Sequence, residues 1–301
     1  MSSKTQGTDS EWVPRSSRAS LASHRLIGWI YWDPGAIERY AALGAPGGAG
    51  YYIASRGAPL APAGNAAVTA ACYSILPAFV EASLDMARTN TTFDRVIEER
   101  NAAVGEGLRR WVPEIVEPLA DLGPVLWDAA DRLEGSGRVL FAAHREAERP
   151  SDPAVSAWLA VNCIREWRGD SHWALIIASR LTGVQAGLLH DAYLGYPGEW
   201  IPRSRGADDD AIRAALDGLE ARGLADDGRV NAAGTEFREQ IERDTDHIAE
   251  AAWRLLGGET TDAFIELIEP VGATLLERID VTAGQDWMPA ARTRRPPPVS
   301  A

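Results

Sequence analysis

Lysine is nearly missing from these 301 residues: Lys4 is the only one, so arginine carries almost all the positive charge. The chain is also rich in Ala and Gly, and the bias is read as the composition of a GC-rich genome, without functional weight. Only two cysteines occur, Cys72 and Cys163, each inside an apolar run. Buried thiols packed as small hydrophobes are expected in preference to a disulfide between them. No run of about 18 apolar residues exists for a membrane span. The Ser-rich N-terminus lacks the apolar centre of a signal peptide, so a cytoplasmic protein is expected. Basic surplus is absent as well: the formal net charge is −13 and the pI near 4.9, which opposes nonspecific binding to nucleic acid or anionic membranes. There is no GxSxG elbow, P-loop or dinucleotide-binding GxGxxG, and no HxxxH or HExxH spacing, so no metal and no cofactor are expected.

Helical periodicity is what the chain has in quantity. A short helix is predicted over 36–43 after the turn Asp33-Pro34-Gly35, then helices over 65–87 (interrupted at Pro77), 92–111, 122–133, 139–145, 154–181 and 182–193. Two closing helices follow over 236–256 and 260–279. Strand signals are few, so the fold class is mainly α. The expected organisation is a disordered tail over 1–24, an N-terminal helical module over 25–147, a second module over 148–285, and a disordered tail over 286–301. Ile53-Ala54-Ser55-Arg56 recurs as Ile177-Ala178-Ser179-Arg180, a weak echo that leaves a degenerate duplication open.

Residues 208–234 have the order of a winged-helix reading unit. Asp208 or Asp209 can cap a helix with Ile212, Leu216 and Leu219 on one face, and a hairpin turned at Asp227-Gly228 forms a small wing. A phosphate-gripping unit needs cations there. This one offers Asp208, Asp209, Asp210, Asp226 and Asp227 against Arg213, Arg222 and Arg229, so DNA is not the expected partner.

The densest polar cluster lies inside an apolar helix: Arg165-Glu166-Trp167-Arg168-Gly169-Asp170-Ser171-His172. Two readings stay open. In one, Arg168 binds an anion and Asp170 or His172 moves a proton. In the other, the charges form an ion-pair network that joins two halves of the protein. His190 lies on a further apolar helix, where a satisfied core histidine is the plainer reading. Asp33 is either the N-cap of the helix that follows or a general base at a cavity wall.

The stretch Arg165–His172, with Leu181-Thr182-Gly183 and Leu188-Leu189-His190, resembles a family of MarR-like winged-helix proteins that carry an RGDxH helix motif. The segments Tyr31-Trp32, Gly50–Leu60 and Cys72–Pro77 also resemble that family, and the likeness covers about residues 26–256. It implies an N-terminal helical module fused to a winged-helix module. It also implies either a ligand-responsive transcriptional regulator or a scaffold turned to small-molecule chemistry. Trp167, Trp173, Asp33 and the Tyr73–Leu76 run depart from the family pattern in ways that reshape a cavity.

The expectation is a cofactor-free enzyme of specialised metabolism, of elimination or ring-closure type. Its cavity lies between the two modules, with Asp33, Asp170 and His172 for proton transfer. Arg56, Tyr73, Trp167, Arg168 and His190 contact a small molecule that carries an anionic group. The alternative is the regulator. A homodimer or a heteromer is compatible with either.

Overall fold

In a computed structural model, which describes residues 9–45 and 48–293, the chain is mainly helical with one two-stranded hairpin. The expected tail over 1–24 is, from Asp9 onward, the helix α1 (Asp9–Gly28), while residues 1–8 lie outside the described residues. The Ser- and Arg-rich composition imitates a solvated tail. Yet Trp12, Ser16, Ala19, Ala22, Ser23 and Leu26 recur at helical spacing and are all buried.

Next come α2 (Pro34–Ala42), α3 (Gly48–Gly57), α4 (Asn65–Ala71), α5 (Pro77–Asn90), α6 (Phe93–Trp111), α7 (Val116–Arg132) and α8 (Val139–Glu146). The helices α9 (Pro153–Ala178), α10 (Gly183–Leu194), α11 (Trp200–Ser204) and α12 (Asp209–Glu220) follow. Then come strands β1 (Ala225–Asp226) and β2 (Arg229–Val230), α13 (Ala232–Leu256), α14 (Gly258–Ile268) and α15 (Gly272–Asp280). Asp227 and Gly228 both take the left-handed backbone that a two-residue hairpin turn needs. The single helix expected over 260–279 is two, broken around Pro270.

The helix α9 is the axis of the molecule. From Ala157 to Trp167 every residue is buried, which marks a helix enclosed on all sides rather than an amphipathic one. It packs against α7, α8, α13 and α1. One apolar cluster runs from Trp12 to Ala291 and takes in α7, the first half of α9 and parts of α13, α14 and α15. A second groups Ile176, Leu188, Leu189, Ile212, Leu219 and Ile241. The expected boundary at 148 therefore does not divide the packing. The helices α9 and α13 each contribute to both clusters, and the closing helices return to the first. The two copies of the Ile-Ala-Ser-Arg echo have unlike surroundings, with Ile53 buried and Ile177 exposed. Both cysteines are free and buried.

The expected tail over 286–301 is ordered in its first part. Met288 and Ala291 are buried, and Arg25 Nε donates to the Ala291 carbonyl at 3.1 Å. Residues 294–301 lie outside the described residues. Among the described residues no helix is long and apolar enough to cross a membrane.

Close packing sets a measurable constraint at Gly107 on α6. A Cβ there would lie 2.3 Å from the ring of the fully buried Trp29. Gly107→Ala is expected to lower unfolding stability by about 2 kcal/mol despite the better helix propensity of alanine. Chemical denaturation checks this, and an unchanged or raised midpoint contradicts it.

Candidate functional site

Two adjoining chambers lie where α1, α3, α9, α10, α11, α13 and the segment after α15 meet. One, of about 320 Å3, is walled by Trp32, Tyr52, Phe79, Trp173, Trp200 and Trp287. The other, of about 390 Å3, is bordered by a cluster of charged and polar side chains: His24, Arg165, Glu166, Arg168, His172, His190, Arg238, Glu242 and Asp246. They share Tyr52, Arg56, Trp173, Arg205 and Pro289. An aromatic chamber thus adjoins a charged one.

The charged chamber is built around buried ion pairs. Glu166, fully buried, accepts from Arg56 Nε at 2.9 Å, from Arg56 Nη2 at 2.6 Å, and from Arg165 Nη1 at 2.6 Å. Burial opposes its ionisation, but the two guanidinium groups outweigh that and hold the carboxyl far below its ordinary range. Arg168 pairs with Glu242 and, at 2.9 Å, with Asp246. Arg238 pairs with Glu242 at 2.7 Å. The ion-pair network is therefore present, and it forms the wall of a cavity.

Besides Ser20 Oγ and Trp173 Nε1, three atoms of the charged cluster on this wall are buried without a hydrogen-bond partner among the described residues: His24 Nε2, Arg168 Nε and Arg238 Nη1. His24 Nδ1 accepts from Arg165 Nε at 3.1 Å, so the proton of this neutral ring is on Nε2, and all three atoms are donors. Buried donors left unpaired cost free energy, and all three belong to side chains that border this chamber.

Arg205 differs from the other arginines of the chambers. Its Nη1 donates to Ser74 Oγ at 2.8 Å, and no carboxylate lies within ion-pair distance of it among the described residues. Burial, opposed by the fields of Tyr52 and Asp191, lowers its pKa. It is a half-buried cation without an ion-pair partner among the described residues.

Three histidines face the charged chamber, and burial lowers the pKa of each, reinforced by neighbouring arginines. For His172 the value falls to about 3. Its Nδ1 lies 2.9 Å from Thr245 Oγ1, whose own proton goes to the Ile241 carbonyl at 2.7 Å. Nδ1 must therefore donate, which leaves Nε2 as a bare acceptor.

Of the residues expected at the site, Arg56, Arg168, His172 and His190 border the chambers, whereas Asp33, Tyr73, Trp167 and Asp170 do not. Asp33 caps α2 through the Gly35 and Ala36 amides and pairs with Arg278 at 3.2 Å. Asp170 Oδ2 accepts the Leu140 and Phe141 amides at the start of α8, and burial raises its pKa to about 6. Tyr73 donates to the Leu181 carbonyl, and Trp167 donates to the Glu134 carbonyl. Each is committed to holding backbone. Arg205, His24, Arg238 and the aromatic wall other than Trp173 escaped the sequence reading. Arg205 lies in the polar run Arg203-Ser204-Arg205-Gly206, which carries no periodic signal.

Residues 16–282 match the sequence model of a helix-turn-helix family. The chain belongs to that family. No curated protein and no solved structure matches it. Among the described residues no group of three or more His, Cys, Asp or Glu side chains is placed to hold a metal ion.

Two outcomes follow from this geometry. Glu166→Gln leaves Arg56 and Arg165 buried beside a neutral amide, and is expected to cost about 3–5 kcal/mol of stability. A loss below about 1 kcal/mol in denaturant unfolding contradicts the network described here. For His172, the folded pKa lies below the unfolded value of about 6.5. Its contribution to stability is full above that value and is lost as pH falls from there towards about 3. Nitrogen-15 NMR near pH 5 should show a neutral ring protonated on Nδ1. A doubly protonated ring at that pH refutes the assignment.

Proposed function

We propose that this protein handles a small molecule bearing an anionic group, and that it is a cofactor-free enzyme acting by proton transfer. The observation that carries this reading is the set of unpaired donors. His24, Arg168 and Arg238 carry buried, unsatisfied N–H groups in the wall of a chamber that Arg205, without an ion-pair partner among the described residues, also borders. The chain as a whole is acidic, so this concentration of arginine is local and contrary to composition.

In the proposed chemistry, His172 Nε2 accepts a proton from the bound molecule, and the arginines stabilise the negative charge that develops. A base with so low a pKa is weak in the empty site. A bound anion raises that pKa by opposing the field of Arg238 and Arg168, so affinity for the base and for the anion are coupled. Elimination and ring closure are reaction types that need only these parts.

The family match supports a second reading, a ligand-responsive regulator that reads DNA. In that reading α10, α11 and α12 form the helix-turn-helix and the hairpin its wing. The charge of the candidate reading surface opposes it. Asp208, Asp209, Asp210, Asp217, Glu220, Asp226 and Asp227 are exposed there, against Arg213, Arg222 and Arg229. Phosphate contacts dominate DNA affinity, and this face repels them.

The deciding experiment pairs two assays on the full chain. Incubation with a mixed fraction of anionic metabolites, followed by mass spectrometry, should show a compound retained or converted by the wild type. His172→Ala should lose conversion while its circular dichroism remains that of the folded wild type. A salt-sensitive gel shift of DNA from the gene's own neighbourhood, with no retained compound, overturns the enzyme reading in favour of the regulator.

A further inference from the structure

The aromatic chamber and Arg205 together specify more than an anion. The Nη1 of Arg205 is occupied by Ser74, so its Nε and Nη2 are the groups left without a partner among the described residues. That edge of a guanidinium presents two parallel N–H bonds, the spacing that matches both oxygens of one carboxylate. Arg205 borders both chambers, so an anion there would hold the body of its molecule against Trp32, Trp200 and Trp287.

The size of that body follows from volume. An apolar cavity of about 150 Å3 accepts one benzene ring, and this chamber has about 320 Å3, room for two fused rings. Its walls are indole and phenol faces, and aromatic faces favour stacked or edge-on rings over flexible aliphatic chains. Trp32, only 7% exposed, has an indole N–H without a partner, as does Trp173. Both residues border this chamber, so its wall is incompletely satisfied in the same way as that of the charged one. The mouth carries the exposed apolar Phe79, and Leu76 lies next to it on the surface.

We infer that the ligand is a two-ring aromatic monocarboxylate, its rings in the tryptophan-walled chamber and its carboxylate on the Nε–Nη2 edge of Arg205. This rests on the proposal that the cavity handles an anionic small molecule, and makes it specific. Arg56, Arg165, Arg168 and Arg238 are each already paired with a carboxylate and Arg205 is not, so Arg205 is the cation left to hold the ligand's carboxylate. Ligand atoms that extend into the charged chamber then lie beside His172 and the side chains of His24 and Arg238.

Calorimetric titration of the full chain with four probes tests this. The wild type should bind 2-naphthoate and bind the uncharged 2-naphthamide at least about tenfold more weakly. Cyclohexanecarboxylate and inorganic phosphate should show no comparable affinity. Arg205→Gln should lose about tenfold or more for 2-naphthoate and nothing for 2-naphthamide, and Arg205→Lys should recover part of the loss. The naphthoate–naphthamide comparison on the wild type carries the test if the glutamine variant does not fold. Equal affinity for the two naphthalene probes overturns the inference, as does naphthoate binding that ignores Arg205→Gln. Binding of phosphate or cyclohexanecarboxylate without naphthoate overturns it too, yet leaves the broader anionic-ligand reading standing. Failure of all three anions removes both.

Discussion

The architecture turns on one carboxylate held entirely out of water. Glu166 lies in the middle of α9, where a lone ionised acid would be severely destabilising. Arg56, from the end of α3, and Arg165, one residue earlier on α9, make it tolerable. Arg165 in turn reaches His24 on α1. A single turn further, Arg168 reaches two acids of α13, Asp170 reaches the start of α8, and His172 reaches Thr245 on α13. Eight consecutive residues of α9 therefore fix the positions of four other helices. The walls of the chambers are rigid because each is tied to this one segment.

The same segment explains why a structural network and a ligand site need not be rival accounts. Glu166 and the acids of α13 are matched by arginines and Asp170 by two backbone amides of α8, which satisfies the brace. The donors that remain, on His24, Arg168 and Arg238, exceed what the protein itself can accept. Arg205 adds a cation from α11 and the loop after it, outside the network. A fold stabilised only for its own sake would gain by replacing such groups with apolar ones of similar volume. Their retention beside an open chamber is what a site for an outside acceptor looks like.

Much of the fold was legible in sequence because local signals agreed with tertiary packing. Thr92, Asp152, Thr182 and Asp208 each cap the helix that their residue type announces. The hairpin followed from Asp227-Gly228. The termini were misread because composition was weighed above periodicity. In α1 small serines alternate with Ala and Trp on a face that lets the helix pack closely on α13 and α14. Of the site, the residues found were those inside an apolar helix, where an ionisable group is conspicuous. Asp33 and Asp170 were equally conspicuous, but backbone amides claim them. Arg205 and the aromatic wall come from loops and separate helices, and their convergence is a property of the tertiary fold alone.

The central claim is that the charged chamber is an anion site. A crystal of the full chain soaked in bromide and recorded at the bromine edge tests it most directly. An anomalous peak within hydrogen-bond reach of Arg205, or of the unpaired nitrogens of His24 and Arg238, is the predicted result. Bromide ordered on exposed arginines, with none in the chamber, would contradict it.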